Sequence, residues 1–113
     1  MADITAPVIT ILDHDGQPGG ENVTIVVGDA SNPYVYQDGE NLSYIDHGAS
    51  AIDDVDGNIS YSVEVSGDIV NLQIPGVYKI KFDVSDKEEN PAIQKIRTVT
   101  VVGSKLARLR LLS

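Results

Sequence analysis

Four oxygen-bearing side chains crowd into six residues at Asp53, Asp54, Asp56 and Asn58, with Gly57 supplying a tight bend. Hard oxygen ligands clustered on a loop are what calcium requires. The spacing fails as an EF-hand, however. Counted from Asp54, positions three and five are Asp56 and Asn58, but position six is Ile59 and position twelve is Val65. A calcium ion held here would need ligands from elsewhere, with Asp86, Glu88 and Asp3 as candidates. The expected metal set is therefore Asp53, Asp54, Asp56, Asn58 and Asp86. The competing expectation is an Asx-rich turn whose side chains cap their own backbone. Asp13-His14-Asp15-Gly16 is a weaker version of the same signal, because Pro18 falls where the ion-binding loop would need glycine, so it reads as a solvated loop.

Other chemistry is thinly represented. His14 and His47 are the only histidines. Asp46 and His47, as neighbours along an extended chain, point to opposite faces and so do not make an acid–base pair. No nucleophile elbow, zinc-protease motif, phosphate loop or dinucleotide fingerprint occurs, and no catalytic role is expected. Tyr34, Tyr36 and Tyr44 lie in an irregular stretch, where exposed aromatic faces could stack on sugar rings or anchor a protein partner. Tyr36 or Tyr44 filling a core edge is the competing account. Three Asn-X-Ser/Thr triplets begin at Asn22, Asn41 and Asn58, a frequency that chance produces in Asn- and Ser-rich β-proteins.

The elements that would position these residues read as strands. Residues 7–12 and 22–27 are apolar strands flanking a Gly/Pro-rich loop at 13–21. Residues 28–50 form a long connection containing short strand pieces. Residues 59–66 alternate strictly, with Ile59, Tyr61, Val63 and Val65 expected on the buried face. Residues 68–73 can hold a short strand. In 77–85 the inward set is Tyr78, Ile80, Phe82 and Val84, and Tyr78 after Pro75-Gly76 stands where a tyrosine corner would bond its hydroxyl to nearby backbone. A polar hairpin loop follows at 86–91. The last strand, 93–102, loses its alternation near Lys95–Arg97, which predicts a bulge. About seven strands with turn signals between them, and no helical periodicity before the tail, predict an all-β chain.

Bulk properties narrow the function further. The chain has 113 residues, 42% of them hydrophobic, which suits one domain with one core. It contains no cysteine and no tryptophan, so the core must be packed from Val, Ile and Leu without disulfides. The formal charge is −9, and residues 1–102 carry 17 acids against five bases. Such a surface repels phosphate backbones, so nucleic acid is not expected as a partner. No stretch approaches the roughly 20 apolar residues of a membrane span. Residues 1–6 read as a linker and 103–113 (GSKLARLRLLS) as a basic tail of cloning or linker origin.

Taken together, PVITIL, NVTIVVG, YIDHGASAIDDVDGNISYSVEVSGDIV and IPGVYKIKFDVSDKEENPAIQKIRTVTVV resemble the bacterial immunoglobulin-like repeat related to hyalin-repeat and PKD-like modules. The resemblance covers residues 7–102. It departs from the family pattern in an insertion at Ala30–Ser43, which carries Tyr34 and Tyr36, and in His47, which stands where proline is usual. The resemblance implies an immunoglobulin-like β-sandwich of Greek-key type. It also implies a non-catalytic spacer or adhesion module of a secreted or surface-anchored bacterial protein, monomeric in isolation and flanked by neighbouring immunoglobulin-like repeats in the parent chain. Calcium at the acidic turn would rigidify such a spacer. The alternative is an accessory module that binds a glycan or a protein through the 30–45 insertion.

Overall fold

Alternating aliphatic side chains build two sheets that face each other across one core. The computed structural model describes residues 4–103. Asp3 and the tail from Ser104 onward, both named above, lie outside the described residues. The smaller sheet has the order β1 (Val8–Ile11), β5 (Ala49–Asp53), β6 (Gly57–Asn58), all antiparallel. The larger has the order β2 (Asn22–Val26), β9 (Lys95–Val102), β8 (Gly76–Asp83), β7 (Glu64–Gly67). The last strand thus returns beside an early one, with β9 parallel to β2 and antiparallel to β8. β3 (Val35–Asp38) and β4 (Asn41–Tyr44) form a separate two-stranded hairpin. The all-β, immunoglobulin-like sandwich is as expected, and the described residues contain nine strands, among them the two of this hairpin and the two-residue β6.

Period-two burial explains the packing. Ile9, Ile11 and Ala51 from the small sheet meet Val23, Ile25, Ile80, Phe82, Val99 and Val101 from the large one. Phe82, the only phenylalanine, is fully enclosed. Tyr78 makes the tyrosine corner: its hydroxyl lies 2.6 Å from the Ile74 carbonyl and 3.2 Å from that of Asn71.

Three local expectations are corrected. Residues 59–66 are not one strand. Asn58 Oδ1 accepts from the Ser60 amide and hydroxyl, and Ser60 Oγ accepts from the Ala51 amide, turning the chain into a single 310 turn at Ser60–Ser62. The chain crosses from the small sheet to the large one there. Ile59 is buried before the crossing, but Tyr61 is 82% exposed and Val65, on the margin of the large sheet, is 60% exposed. Residues 68–73 form no strand, and Asn71 organises a turn instead. No bulge interrupts Lys95–Arg97, which pair in regular register with Phe82, Lys81 and Ile80. The alternation fails in the sequence because an inward position is filled by a cation: Arg97 is 0% exposed.

Candidate functional site

The 30–45 stretch contains the β3–β4 hairpin. Asp38 and Asn41 close a two-residue turn, Gly39–Glu40, and Gly39 takes φ +62°, the left-handed value that the first central position of a type II′ turn needs. Among the described residues the hairpin joins neither main sheet.

Its base is fastened by Arg97. The guanidinium Nη1 donates to Asp46 Oδ1 at 2.9 Å, while Nη2 donates to the carbonyls of Leu12 and, at 3.2 Å, Gly48. Asp46 Oδ1 also accepts from the Tyr44 hydroxyl at 2.5 Å, and Asp46 Oδ2 from the Gly48 amide. The cation stands 5.4 Å from the centroid of the Tyr34 ring and 5.8 Å from that of Phe82. Both Nη groups are bonded, while Nε is buried without a hydrogen-bond partner. Burial, reinforced by the hydrogen bond to Asp46, holds the Tyr44 hydroxyl far above its ordinary pKa. Burial likewise raises Tyr34.

The three tyrosines therefore part company. Tyr34 is 7% exposed and belongs to the core, with the His47 ring T-shaped against it at a centroid distance of 4.8 Å. A Cβ on Gly20 would come 2.5 Å from its hydroxyl, so the loop backbone presses directly on it. This corrects its assignment as a ligand-facing residue. Tyr44 is half-buried and committed to Asp46. Tyr36 alone is presented, at 57% exposure. His47 is occupied as well, its Nε2 donating to the Pro33 carbonyl at 2.8 Å.

The acidic turn is held by its own backbone. Asp53 is 2% exposed, and its Oδ2 accepts from the amides of Val55 and Asp56, while its Oδ1 is buried without a hydrogen-bond partner. Asp56 Oδ2 reaches across to the Lys87 amide at 2.8 Å, joining this turn to the loop after β8. Asn58 caps Ser60 as described. Asp86, also buried, accepts from both the amide and the side chain of Asn90. Asp54 is exposed. Among the described residues no group of three or more His, Asp or Glu side chains is arranged to hold a metal ion. Asp13 repeats the self-capping pattern: Oδ1 accepts from the Gln17 and Asp15 amides, and the Gln17 bond above all lowers its pKa.

Two residues escaped the sequence reading. Arg97 was detectable, since positions 97, 99 and 101 share one parity in a strand whose other inward members are valines. Asp46, its partner across 51 positions, gives no local signal.

The family model described as "bacterial surface protein, Ig-like domain" matches residues 18–101. No curated protein matches the chain. Among solved structures, a lipoprotein from Bacteroides thetaiotaomicron is similar with a TM-score of 0.57 and 18% identity, over 86% of this chain and 38% of that one. A structure of the CBM51-2 and INT domains of Clostridium perfringens ZmpB, in complex with GlcNAc, is similar with a TM-score of 0.53 and 23% identity, over 87% of this chain and 17% of that one. This chain thus spans well under half the length of either. At these identities the likeness is one of fold.

Proposed function

Because the chain belongs to the bacterial surface protein Ig-like domain family, we propose that it is a non-catalytic spacer or adhesion module, exposed at the cell surface or secreted and joined to neighbouring immunoglobulin-like domains. The observation that carries this is the path of the chain. Ala6, Pro7 and Val8 border a crevice with Ile93 and Lys95, beside the start of β9, whereas Gly103 follows the far end of that strand. The chain therefore arrives at one pole and departs at the other, separated by an eight-residue strand of about 25 Å. Copies joined in series would add length rather than fold back. Val8 and Ile52, opposite one another in the β1–β5 ladder, and Ile93 are exposed at the arrival pole, where a preceding domain would cover them. The non-catalytic part is supported by the engagement of Asp46, His47, Asp53 and Tyr44 in structural hydrogen bonds. The span of two joined copies is the test.

A second reading is favoured by one specific observation: among the described residues the hairpin pairs with neither main sheet and presents Tyr36. Such a surface suits recognition of a glycan or a protein. Tyr36→Ala would then lose ligand while leaving stability unchanged. For the acidic turn we propose the self-capped state in preference to calcium, since Asp53, Asp56, Asn58 and Asp86 each accept hydrogen bonds already. A melt with and without calcium separates the two.

A further inference from the structure

Among the described residues the outer edge of β4 pairs with no strand, and a slot lies along it. In a two-residue hairpin the closing pair exchanges both backbone hydrogen bonds, and the pairs alternate from there. Asp38 and Asn41 are the closing pair, so Tyr36 and Ser43 bond across the ladder while Gln37 and Leu42, like Val35 and Tyr44, do not. The next bonded link, from the Ile45 amide to the Tyr34 carbonyl at 2.9 Å, confirms the phase. Leu42 and Tyr44 therefore direct their N–H and C=O groups away from β3.

A cleft of about 380 Å³ lies there, walled on one side by Leu42, Ser43 and Tyr44 and on the other by residues 69–73. Consecutive residues on both walls mark two backbone edges facing each other, because a groove across a sheet face would be lined by alternate residues. The side chains of Leu42, Tyr44, Val70 and Leu72 turn into the core and give the slot an apolar floor. Asp38 and Glu40 stand at the hairpin turn and make that end of the slot acidic, while Asp68, before the opposite wall, is paired through its backbone and carboxylate with the backbone of Lys79.

We propose that this slot takes an extended, basic segment of a partner protein, which adds to the free edge of β4 as a further strand. Backbone hydrogen bonds to Leu42 and Tyr44 would supply the affinity, and alternation would supply the specificity: apolar residues toward the floor, Lys or Arg toward the acidic rim. This rests on the recognition reading of the hairpin and names its ligand as polypeptide.

The test is amide hydrogen exchange on the full chain, alone and with the end-blocked peptide Lys-Val-Lys-Val-Lys. In the free protein Ser43 and Ile45 should exchange slowly, and Leu42 and Tyr44 rapidly. The peptide should slow Leu42 and Tyr44. N-methylating its alternate amides, one set at a time, should weaken binding about tenfold or more for the set facing β4, and the Glu-Val-Glu-Val-Glu peptide should not compete. Leu42 and Tyr44 amides already as slow as Ser43 in the free protein would overturn the proposal, as would binding indifferent to both methylations. Binding that depends on Tyr36 but leaves those two amides fast would overturn strand addition while sparing the recognition reading.

Discussion

Arg97 and Asp46, 51 residues apart, meet at 2.9 Å and join the last strand of the large sheet to the segment that leaves the hairpin. Arg97 is wholly enclosed, and Asp46 lies at the rim. Through Asp46 the same carboxylate holds the Tyr44 hydroxyl, and through Nη2 the cation holds the carbonyls of Leu12 and Gly48. One cation thereby ties strand β9, the end of β1 and the foot of the hairpin into a single joint.

Removing that cation should be costly, because a carboxylate and two carbonyls lose their partner in a poorly solvated place. Arg97→Met is expected to lower the unfolding free energy by about 3 kcal/mol, the lower end for a broken buried pair since Asp46 reaches solvent. The double variant Arg97→Met, Asp46→Leu should recover part of this. Urea denaturation of wild type, single and double variants measures it.

The tyrosines of the insertion should separate by stability. Tyr34→Ala removes a core ring and is expected to cost about 3–4 kcal/mol. Tyr36→Ala should stay within about 0.5 kcal/mol of wild type, as an exposed substitution does. Thermal melts of the two variants would show this, and equal losses would contradict the division drawn between them.

The alternating residues 77–85 were legible because one face of that strand is buried and the other is not. Residues 28–50 were legible only as a long connection with short strand pieces, although the Asp38-Gly39 step is a hairpin signal. The crossing at Ser60–Ser62 was hidden, since both halves of 59–66 keep the same parity across the turn. Arg97 looked like a defect in alternation because pattern reading assigns charges outward. The distant Asp46, with the carbonyls of Leu12 and Gly48, makes its burial tolerable.

Alkaline pH should destabilise the fold. Tyr34 and Tyr44 have folded pKa values raised above the ordinary 10.0, so the folded state keeps protons that the unfolded chain gives up. Their contribution is fully present below the unfolded value and is lost as pH rises through the folded values. The melting temperature should be nearly flat from about pH 7 to 9 and fall beyond about pH 10. Tyr44→Phe should weaken that dependence.

The acidic turn should not respond to calcium. With Asp53 Oδ2 and Asp56 Oδ2 bonded to the backbone, the melting temperature is expected to be the same in EDTA and in about 10 mM calcium, a concentration that would saturate a typical extracellular site. A calcium-selective rise of about 10 °C, absent with magnesium, would instead place an ion at Asp53 and its neighbours, since 2–3 kcal/mol gives a shift of that order.

The most direct test of the spacer proposal is small-angle X-ray scattering of two copies of the domain, joined from Gly103 of the first to Pro7 of the second. Arrival and departure at opposite poles predict a maximum dimension longer than that of one domain by at least about 25 Å, the length of β9. A pair hardly longer than a single domain, with the copies side by side, would contradict it.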